Sequence, residues 1–551
     1  MNIGPFIDKN KYLIILIVLG VFFVIIYSWL YHDNNYLFSS PDETANYAFI
    51  NNYIDTGKLS ISDTDIGKSN DLLHPRSTLI VNNELVPGSF IGMIIIYGLI
   101  GKIFGVGIIL YLTPFFAVMG VIFYFLFLKN FFNKKIAFVS SLMLYIFPTY
   151  WLYSARGMFH NIFFLSLLFI GLFLLFKSIN SEKNKFIFSS FSGIIIGMSL
   201  FVRSSEFLWV AMIIIIIYIF SRKNISLKNI LFFLLPLVII GIVIMTLNIS
   251  LYGSVTSFGY SESSINTEIE STNSLINFEL LGKIISPFGF DFKLISQSIN
   301  DYLIFAFPWF GIFLVITILF FVYENIKILL MRLIINSKKI NPINRNLYYY
   351  KLIFFISVVL LIIYYGSFEF LEYLDNSFIY GSSYLRYWLP IYIFGFPIML
   401  ILIIEFLKNY KNKLLFFVKI FFICTIIISS ILIALKDPLY GIQKEKINNS
   451  NNVYLVSQIR SIIEDKSIII SGKADKLFFP NYNVIYALSD DIKITYNALN
   501  GLLEDNSIYL YYNVLDKVSV QNYNFLVKNN NFKITPIFNI NNNDVVLYQI
   551  K

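Results

Sequence analysis

Long apolar stretches recur along the chain and are separated by short polar loops. Each approaches the ~20 residues that a helix needs to cross the hydrocarbon core of a bilayer. Ten are clear, at 12–31, 108–128, 136–153, 158–176, 207–221, 230–252, 302–323, 352–366, 387–407 and 414–435. Two are weaker, the glycine-rich segment 88–104 and segment 186–202. The pattern predicts a mostly α-helical protein with a polytopic bundle of about 11–13 transmembrane helices.

The pattern changes near residue 437. Short β-like runs then alternate with helix-compatible stretches such as 453–466; the runs are 467–471, 483–488, 507–512 and 544–550. This alternation predicts a small α/β domain at residues 437–551, after a transmembrane module at residues 1–436. The tail has neither a GxGxxG nor a P-loop pattern, so nucleotide binding has no support, and a structural or acceptor-presenting role is favoured.

The charges of the short loops predict the orientation in the membrane, because Lys and Arg are retained on the cytoplasmic side. Loops 129–135, 177–185, 222–228, 324–351 and 408–413 carry 18 basic and 2 acidic residues. Loops 32–87, 253–300 and 367–386 carry 16 acidic and 6 basic residues. We therefore predict a multi-pass plasma-membrane protein with a cytoplasmic N-terminus and an extracytoplasmic tail. Loop 129–135 fits this scheme only if 88–104 is a half-span near the outer surface, which we favour.

The composition agrees with lipid as the main solvent. Apolar residues make up 57% of the 551 residues and charged residues 14%, with a net charge of +9, whereas a soluble domain carries roughly 25% charged residues. Membrane lipids, and not nucleic acid, are therefore the expected surroundings. A lone Cys424 excludes an intramolecular disulfide and a cysteine-based zinc site. His32, His74 and His160 are too scattered to predict a histidine metal centre.

The outward loop 32–87 contains the densest polar region of the membrane module. In it Asp42 and Glu43 follow the first span by about ten residues, directly after Ser40 and Pro41, a pattern typical of a helix start. Judged from the residues alone, Asp42 is either the N-cap of that helix, worth about 1 kcal/mol, or a functional carboxylate. The N-cap is the simpler interpretation.

An acidic pair soon after the first span, many further spans and a soluble outward tail resemble the GT-C superfamily of integral-membrane glycosyltransferases. The most similar branch uses polyprenyl-phosphate sugars and includes protein O-mannosyltransferases and lipid A aminoarabinose transferases. The resemblance covers roughly residues 1–435, and two further family-like passages are Ser383 to Pro390 and Ser154 to Gly157. The chain has no Trp-Trp-Asp motif, which argues against the oligosaccharyltransferase branch.

The resemblance implies transfer of a single sugar from a dolichyl or undecaprenyl phosphate donor to a hydroxyl of a protein, lipid or glycan on the outer face. Asp42 is implied to be the general base that takes the acceptor proton in an inverting displacement, and Glu43 to orient the site. The lipid phosphate leaves readily, so no general acid is needed. No cofactor is implied, and a divalent metal is compatible but not favoured because Arg or Lys meets the phosphate charge.

Four arginines lie at predicted outward ends of spans, where a guanidinium can bind a phosphate through two hydrogen bonds. In order of preference they are Arg386, Arg203, Arg76 and Arg156. Plainer roles are an ion pair between Arg203 and Glu206 one turn away, a helix-end cap for Arg156, and an interfacial anchor for Arg386 beside Tyr387. Tyr387 and His74 are candidates for acceptor contacts, and His74 is equally well explained by loop packing.

Two other functions stay open. A transporter or flippase of lipid-linked sugars predicts charges buried in the middle of spans and an inverted repeat, whereas the polar residues here gather on one side. A surface polysaccharide polymerase or ligase shares the outward arginines but does not need the acidic pair. The polar loop 253–300 is interpreted as a solvated connector, with a lid or an acceptor contact as the alternative.

Overall fold

The structure, a computed structural model, describes the backbone of most of the chain. The described residues are 3–30, 36–69, 71–255, 259, 286–335, 345–368, 373–374, 377–378, 384–408, 413–437, 441–486, 496–513, 534–540 and 545–551. Several sequence predictions lie outside them. These are most of loops 253–300 and 367–386, part of loops 324–351 and 408–413, and the residues His32 and Ser383.

The chain forms two compact units, each assembled from three segments. The helical unit comprises Met1–Trp29, Tyr111–Gly241 and Ile269–Lys444. The mixed unit comprises Leu30–Leu110, Ile242–Glu268 and Glu445–Lys551. This division differs from the predicted domains 1–436 and 437–551, because residues 30–110 group with the tail and not with the membrane helices.

Helices dominate the described chain, as the apolar pattern predicts. In chain order they are α1 (Ile3–Ser28), α2 (Pro41–Thr56), α3 (Ile91–Phe104), α4 (Ile109–Leu128), α5 (Lys134–Ile146), α6 (Pro148–Ala155), α7 (His160–Asn180), α8 (Lys185–Val202), α9 (Phe207–Phe220), α10 (Leu227–Tyr252), α11 (Phe292–Ser298), α12 (Pro308–Ile335), α13 (Arg345–Tyr365), α14 (Leu385–Lys408), α15 (Lys413–Lys436), α16 (Ile442–Arg460), α17 (Asp475–Phe478) and α18 (Tyr496–Leu503). A π-helical turn, Ile299–Phe305, precedes α12.

Eight helices of the described residues are long and apolar enough to cross a membrane, or nine if α5 and α6 form one span. Shorter apolar helices are Ile91–Phe104, Ser204–Phe220 and Cys424–Lys436. The predicted 11–13 crossings therefore require these shorter helices as well. The predicted span 302–323 begins later than expected, because α12 starts at Pro308 after the π-helical turn.

Small residues let the helices of this unit approach closely. Ser192 in α8 donates a hydrogen bond of 2.8 Å to the carbonyl of Gly171 in α7. A Cβ atom on Gly193 would lie 2.1 Å from the carbonyl oxygen of Phe233 in α10. Small and hydroxyl residues of this kind are typical of helix contacts in membranes. They also explain why segment 186–202 is only weakly apolar although it forms a full-length helix.

The predicted span 136–153 is broken. Helices α5 and α6 meet at an angle of 55°. Phe147 between them is extended, at φ −63° and ψ 125°, and Pro148 occupies the first turn of α6. A residue before proline is disfavoured in the α region, and proline at a first helical position fits without strain. The break sets α6 on a new axis, at whose C-terminal end Arg156 lies.

The tail is a small α/β fold, as predicted. Its sheet has the order β7-β6-β8-β10-β9. Its strands are β6 (Ile468–Ser471), β7 (Asn483–Tyr486), β8 (Ile508–Asn513), β9 (Ile534–Ile540) and β10 (Val545–Ile550). Strand β6 lies between β7 and β8 and is parallel to both, and β10 is antiparallel to β8 and β9. All four predicted runs form strands, whereas β9 was not predicted because Pro536 interrupts its apolar pattern.

The predicted outward loop, residues 32–87, contains a small sheet in the mixed unit. Strands β1 (Ile61–Ser62), β2 (Thr78–Val81) and β3 (Glu84–Pro87) form an antiparallel sheet of order β1-β3-β2. A short β4–β5 pair, Tyr373–Leu374 with Ser377–Phe378, lies in the helical unit. Between β2 and β3, Asn82 and Asn83 have φ values of 53° and 62°. Positive φ at both central positions is the requirement of a two-residue type I′ hairpin turn.

Helix α3 packs against α2 through glycine. A Cβ atom on Gly98 would lie 2.5 Å from the Tyr53 ring, and one on Gly101 would lie 2.4 Å from Ile54. These are two of the four glycines of segment 88–104. The 14 residues of α3 span about 21 Å at 1.5 Å per residue, less than the ~30 Å of a bilayer core. This length is compatible with the half-span predicted for the segment, which stays a prediction.

Candidate active site

Asp42 lies at the second position of α2, and the structure excludes it as the helix cap. Ser40 is the N-cap, with extended backbone at φ −120° and ψ 143°, and Pro41 precedes Asp42 in the first turn. Asp42 is partly exposed, and its carboxylate accepts a hydrogen bond of 2.5 Å from the Ser77 hydroxyl. A carboxylate in the first turn is also favoured by the helix dipole. Asp42 is therefore a partly exposed acid held by a residue 35 positions away.

Ser77 is held by the ends of the β2–β3 hairpin. The Ser77 carbonyl accepts from the Gly88 amide at 2.9 Å. Close by, the Thr78 hydroxyl donates to the Pro75 carbonyl at 2.7 Å. One turn after Asp42, the Asn46 side-chain oxygen accepts a 2.6 Å bond from the Ser89 hydroxyl. Two serines that flank the hairpin thus donate to one face of α2.

Glu43 lies one residue further along α2, and its side chain is fully buried. It is therefore directed into the mixed unit, whereas Asp42 is partly exposed. The pair predicted from the sequence is adjacent in the structure, but its two acids have different surroundings. Tyr47, on the next turn, has its pKa raised to about 12 by burial.

Arg76 and His74 are bound to the tail. The Arg76 guanidinium contacts the buried Asp475 carboxylate, with Nη2–Oδ1 at 2.6 Å and Nε–Oδ2 at 3.1 Å, and the Arg76 amide donates to Oδ2 at 2.8 Å. Its guanidinium carbon lies 5.2 Å from the centroid of the Tyr486 ring. The His74 carbonyl accepts from the Tyr486 amide at 3.3 Å. The His74 ring nitrogen Nδ1 is 3.2 Å from the Pro75 carbonyl oxygen.

The other three candidate arginines form one cluster in the helical unit. Guanidinium groups and aromatic rings alternate in the order Arg156, Phe159, Arg386, Tyr387 and Arg203. The successive distances from guanidinium carbon to ring centroid are 4.8, 4.1, 5.2 and 5.0 Å. We call these five residues the guanidinium cluster. All three arginines are about 4% exposed, so cation–π attraction acts there at reduced solvation.

The three arginines of this cluster lie at the ends of three helices. Arg156 terminates α6 and Arg203 terminates α8, and the backbone amide of each still donates to the preceding turn, to Leu152 and Ser199. Arg386 lies in the first turn of α14. Each arginine is therefore at a helix end, where the polar backbone and a charged side chain share one site.

Arg203 also forms the ion pair with Glu206 that the sequence suggests. Its Nη2 lies 2.6 Å and its Nε 3.0 Å from Glu206 Oε1. Glu206 further accepts from Trp209 Nε1 at 2.5 Å and from the Tyr365 hydroxyl at 2.7 Å. Tyr365 stacks on Tyr387 with a centroid distance of 4.8 Å. The pair thus anchors one end of the guanidinium cluster.

Several residues around these groups were not predicted. Trp209 lies three positions after Glu206, the predicted partner of Arg203, and this spacing, which places both side chains on one helix face, was available in the sequence. Phe159, Tyr365 and Ser77 gave no local signal beyond proximity to a span end or to Arg76. Among the described residues, no group of three or more His, Cys, Asp or Glu side chains is arranged to hold a metal ion.

No family model and no curated protein matches the chain. Solved structures do match. The archaeal oligosaccharyltransferase AglB from Archaeoglobus fulgidus, in complex with an inhibitory peptide and a dolichol-phosphate, superposes with a TM-score of 0.51 at 12% identity, over 92% of this chain and 70% of that chain. ArnT from Cupriavidus metallidurans in the apo state gives a TM-score of 0.51 at 9% identity, over 98% of both chains. This chain has the GT-C glycosyltransferase fold.

The predicted resemblance to GT-C enzymes is therefore confirmed for the fold. At 9–12% identity the likeness lies in the fold and assigns no role to an individual residue of this chain. In this chain, Asp42, Glu43, His74 and Arg76 lie in the mixed unit. Arg156, Arg203, Arg386 and Tyr387 lie in the helical unit, where the structure joins them into one cluster.

Proposed function

We propose that this GT-C protein transfers a single sugar from a polyprenyl phosphate donor to an acceptor hydroxyl on the outer face of the plasma membrane, with inversion. The observation that carries the proposal is the guanidinium cluster, which gathers three of the four arginines selected from the sequence. Buried guanidinium groups at helix ends suit a phosphate that remains attached to a lipid.

Asp42 is the proposed general base. Asp42 is a partly exposed residue, and the Ser77 hydroxyl donates a hydrogen bond that fixes the orientation of its carboxylate. As the acceptor oxygen attacks the anomeric carbon, the carboxylate takes the hydroxyl proton. The bond between that carbon and the phosphate oxygen breaks on the opposite face, which inverts the anomeric configuration. Glu43 has the supporting role of shaping the buried side of α2.

The guanidinium cluster is proposed to hold the phosphate of the donor. Negative charge grows on that phosphate as the sugar leaves, and fixed positive groups in a poorly hydrated site favour this change. Arg386 is the first choice, because it lies between the two rings of the cluster, with Arg203 and Arg156 on either side. Arg76 is directed to Asp475, and we assign it to the structure of the loop.

Several features favour a polyprenyl phosphate donor and transfer of a single sugar. The AglB structure contains a dolichol-phosphate. The chain matches ArnT over 98% of both chains, whereas it spans 70% of AglB, and it lacks the Trp-Trp-Asp motif. Together these favour the single-sugar branch named from the sequence. The proposed acceptor is a hydroxyl of a protein, lipid or glycan.

Binding of undecaprenyl phosphate and dolichyl phosphate to Arg386→Ala tests the cluster. Loss of one charge-assisted contact, worth about 1.5–3 kcal/mol, should weaken binding about tenfold or more. Arg345→Ala is the matched control, because Arg345 also lies against two rings, Phe220 at 5.3 Å and Tyr349 at 5.7 Å, but in a predicted cytoplasmic region.

Equal affinities for polyprenyl phosphate in Arg386→Ala, Arg345→Ala and the wild-type protein would show that the guanidinium cluster does not bind the phosphate. A companion assay separates the transferase from a flippase. A transferase releases polyprenyl phosphate and forms a glycosylated product in detergent, where no membrane gradient exists. Movement of a lipid-linked sugar across vesicles without such a product would favour a flippase.

A further inference from the structure

One segment of the tail contacts the start of α2, which carries Asp42, and also contacts Arg76, the residue before Ser77, all within the mixed unit. This segment, residues 472–476, comprises the turn after strand β6 and the first two residues of α17. Lys476 donates from Nζ to the Ser39 carbonyl, and its own carbonyl accepts from the Thr44 hydroxyl at 3.5 Å. On the other side, Asp475 and the Lys473 carbonyl accept from Arg76, the latter at 2.8 Å. The carboxyl end of a parallel strand is a common location for functional groups.

Asp475 fixes Arg76 at both its backbone and its side chain. The carboxylate is fully buried and accepts from the Arg76 amide at 2.8 Å and from Nη2 at 2.6 Å. Such a paired contact fixes the orientation of the Arg76 guanidinium group as well as its distance from the carboxylate. The position of the Arg76 backbone, to which Ser77 is joined, is therefore fixed.

Ser77 has a backbone conformation that needs this support. Its φ value is +63°, in the left-handed region that a residue with a Cβ atom rarely adopts. Such residues persist where their surroundings determine them from several sides. Asp475 acts through Arg76 on one side, and on the other Thr78 pairs with Pro87 in the β2–β3 ladder. In this conformation the Ser77 hydroxyl lies 2.5 Å from Asp42 Oδ1.

We propose that Asp475 is a positioning residue for Asp42. It holds Arg76, Arg76 sets the conformation of Ser77, and Ser77 donates the hydrogen bond that orients the Asp42 carboxylate and favours its ionised form. The tail thus takes part in the reaction without contacting the substrate. This inference rests on the proposed role of Asp42 as the base.

The test uses the full-length protein and the lipid-linked sugars extracted from the producing cells, with release of polyprenyl phosphate as the readout. We expect Ser77→Ala and Asp475→Asn each to lower kcat about 10- to 100-fold, the rate equivalent of one hydrogen bond to a charged group, with little change in KM. The acidic limb of the pH–kcat profile should move to higher pH in both variants, because the ionised carboxylate loses a donor.

A double-mutant cycle shows whether Asp475 acts through Ser77. The double variant Ser77→Ala/Asp475→Asn should be no slower than the slower single variant, because both changes remove the same hydrogen bond. Asp505→Asn is the matched control. Asp505 pairs with Lys68 and also joins the tail to the first loop, but both side chains are largely exposed. It should leave kcat and the pH profile at wild-type values.

Wild-type kcat and pH profile in folded Asp475→Asn, or additive effects in the double variant, would overturn the inference. If Asp475→Asn does not fold, Arg76→Lys decides in the same way, since lysine keeps the charge and loses the paired contact. The variant Asp42→Asn separates the two proposals. If it still transfers sugar, Asp42 is not the base. If it loses transfer while Ser77→Ala and Asp475→Asn keep wild-type activity, Asp42 stays the proposed base and only the positioning role of Asp475 is wrong.

Discussion

The Arg203–Glu206 pair illustrates why single residues at this site have more than one role. Glu206 accepts from Arg203, Trp209 and Tyr365, and all four side chains are buried. The sequence predicts the ion pair from its spacing, but it does not predict Tyr365, which lies more than 150 residues away in α13. A buried carboxylate with three donors holds Arg203 in place and leaves its ring contact with Tyr387 intact.

Arg203→Met should therefore destabilise the protein as well as weaken phosphate binding. Removing one partner of a buried ion pair leaves the other charge desolvated, at a cost of about 3–5 kcal/mol. The thermal unfolding midpoint in detergent, followed by tryptophan fluorescence, measures this effect. Arg345→Met, at an exposed arginine of the same unit, should change stability by about 0.5 kcal/mol or less. Equal midpoints for the two variants would contradict the buried-pair account.

At the level of elements, the packing of α2 on α3 determines where Asp42 lies in the mixed unit. Gly98 and Gly101 remove side chains from the face of α3 that contacts Tyr53 and Ile54 of α2. The sequence showed that segment 88–104 is rich in glycine, and it predicted a short half-span. It did not predict the partner of those glycines, because helix periodicity specifies a face and not what packs against it.

Gly98→Leu should separate α2 from α3. Overpacking a tight contact costs about 1–3 kcal/mol, and the displaced α2 would carry Asp42 away from Ser77. Both the thermal midpoint and the rate of polyprenyl phosphate release should fall. Gly107→Leu is the control, because a Cβ atom there meets nothing within 4 Å. Wild-type stability and rate in Gly98→Leu would show that the close approach of the helices is not needed.

At the level of the whole molecule, the local sequence pattern predicts the helices and strands better than it predicts which segments belong to the same compact unit. Apolar runs predicted most of the helices, and four β-like runs predicted four of the five tail strands. The grouping of residues 30–110 with the tail was not predicted. It depends on pairs such as Arg76–Asp475 and Asn483–Asp63, which are 399 and 420 residues apart. Such contacts leave no trace in local periodicity.

For the candidate site, too, the sequence predicted the individual residues better than the contacts between them. Asp42, Glu43 and the four arginines were selected from residue type and position in the predicted topology. The structure joins three of these arginines through Phe159 and Tyr387, and it gives Arg76 to Asp475. Outward position thus predicted which arginines to consider, but only the fold separates those that share a cluster from the one that is bound to the tail.

The most direct test of the proposed function is the rate of sugar transfer by Asp42→Asn, measured as polyprenyl phosphate released from lipid-linked sugars extracted from the producing cells. Asparagine has nearly the same shape and can still accept the Ser77 hydrogen bond, so folding and binding of undecaprenyl phosphate should be unchanged. Loss of the base should lower the rate about 10²- to 10⁴-fold. A folded Asp42→Asn protein that transfers sugar at the wild-type rate would contradict the account.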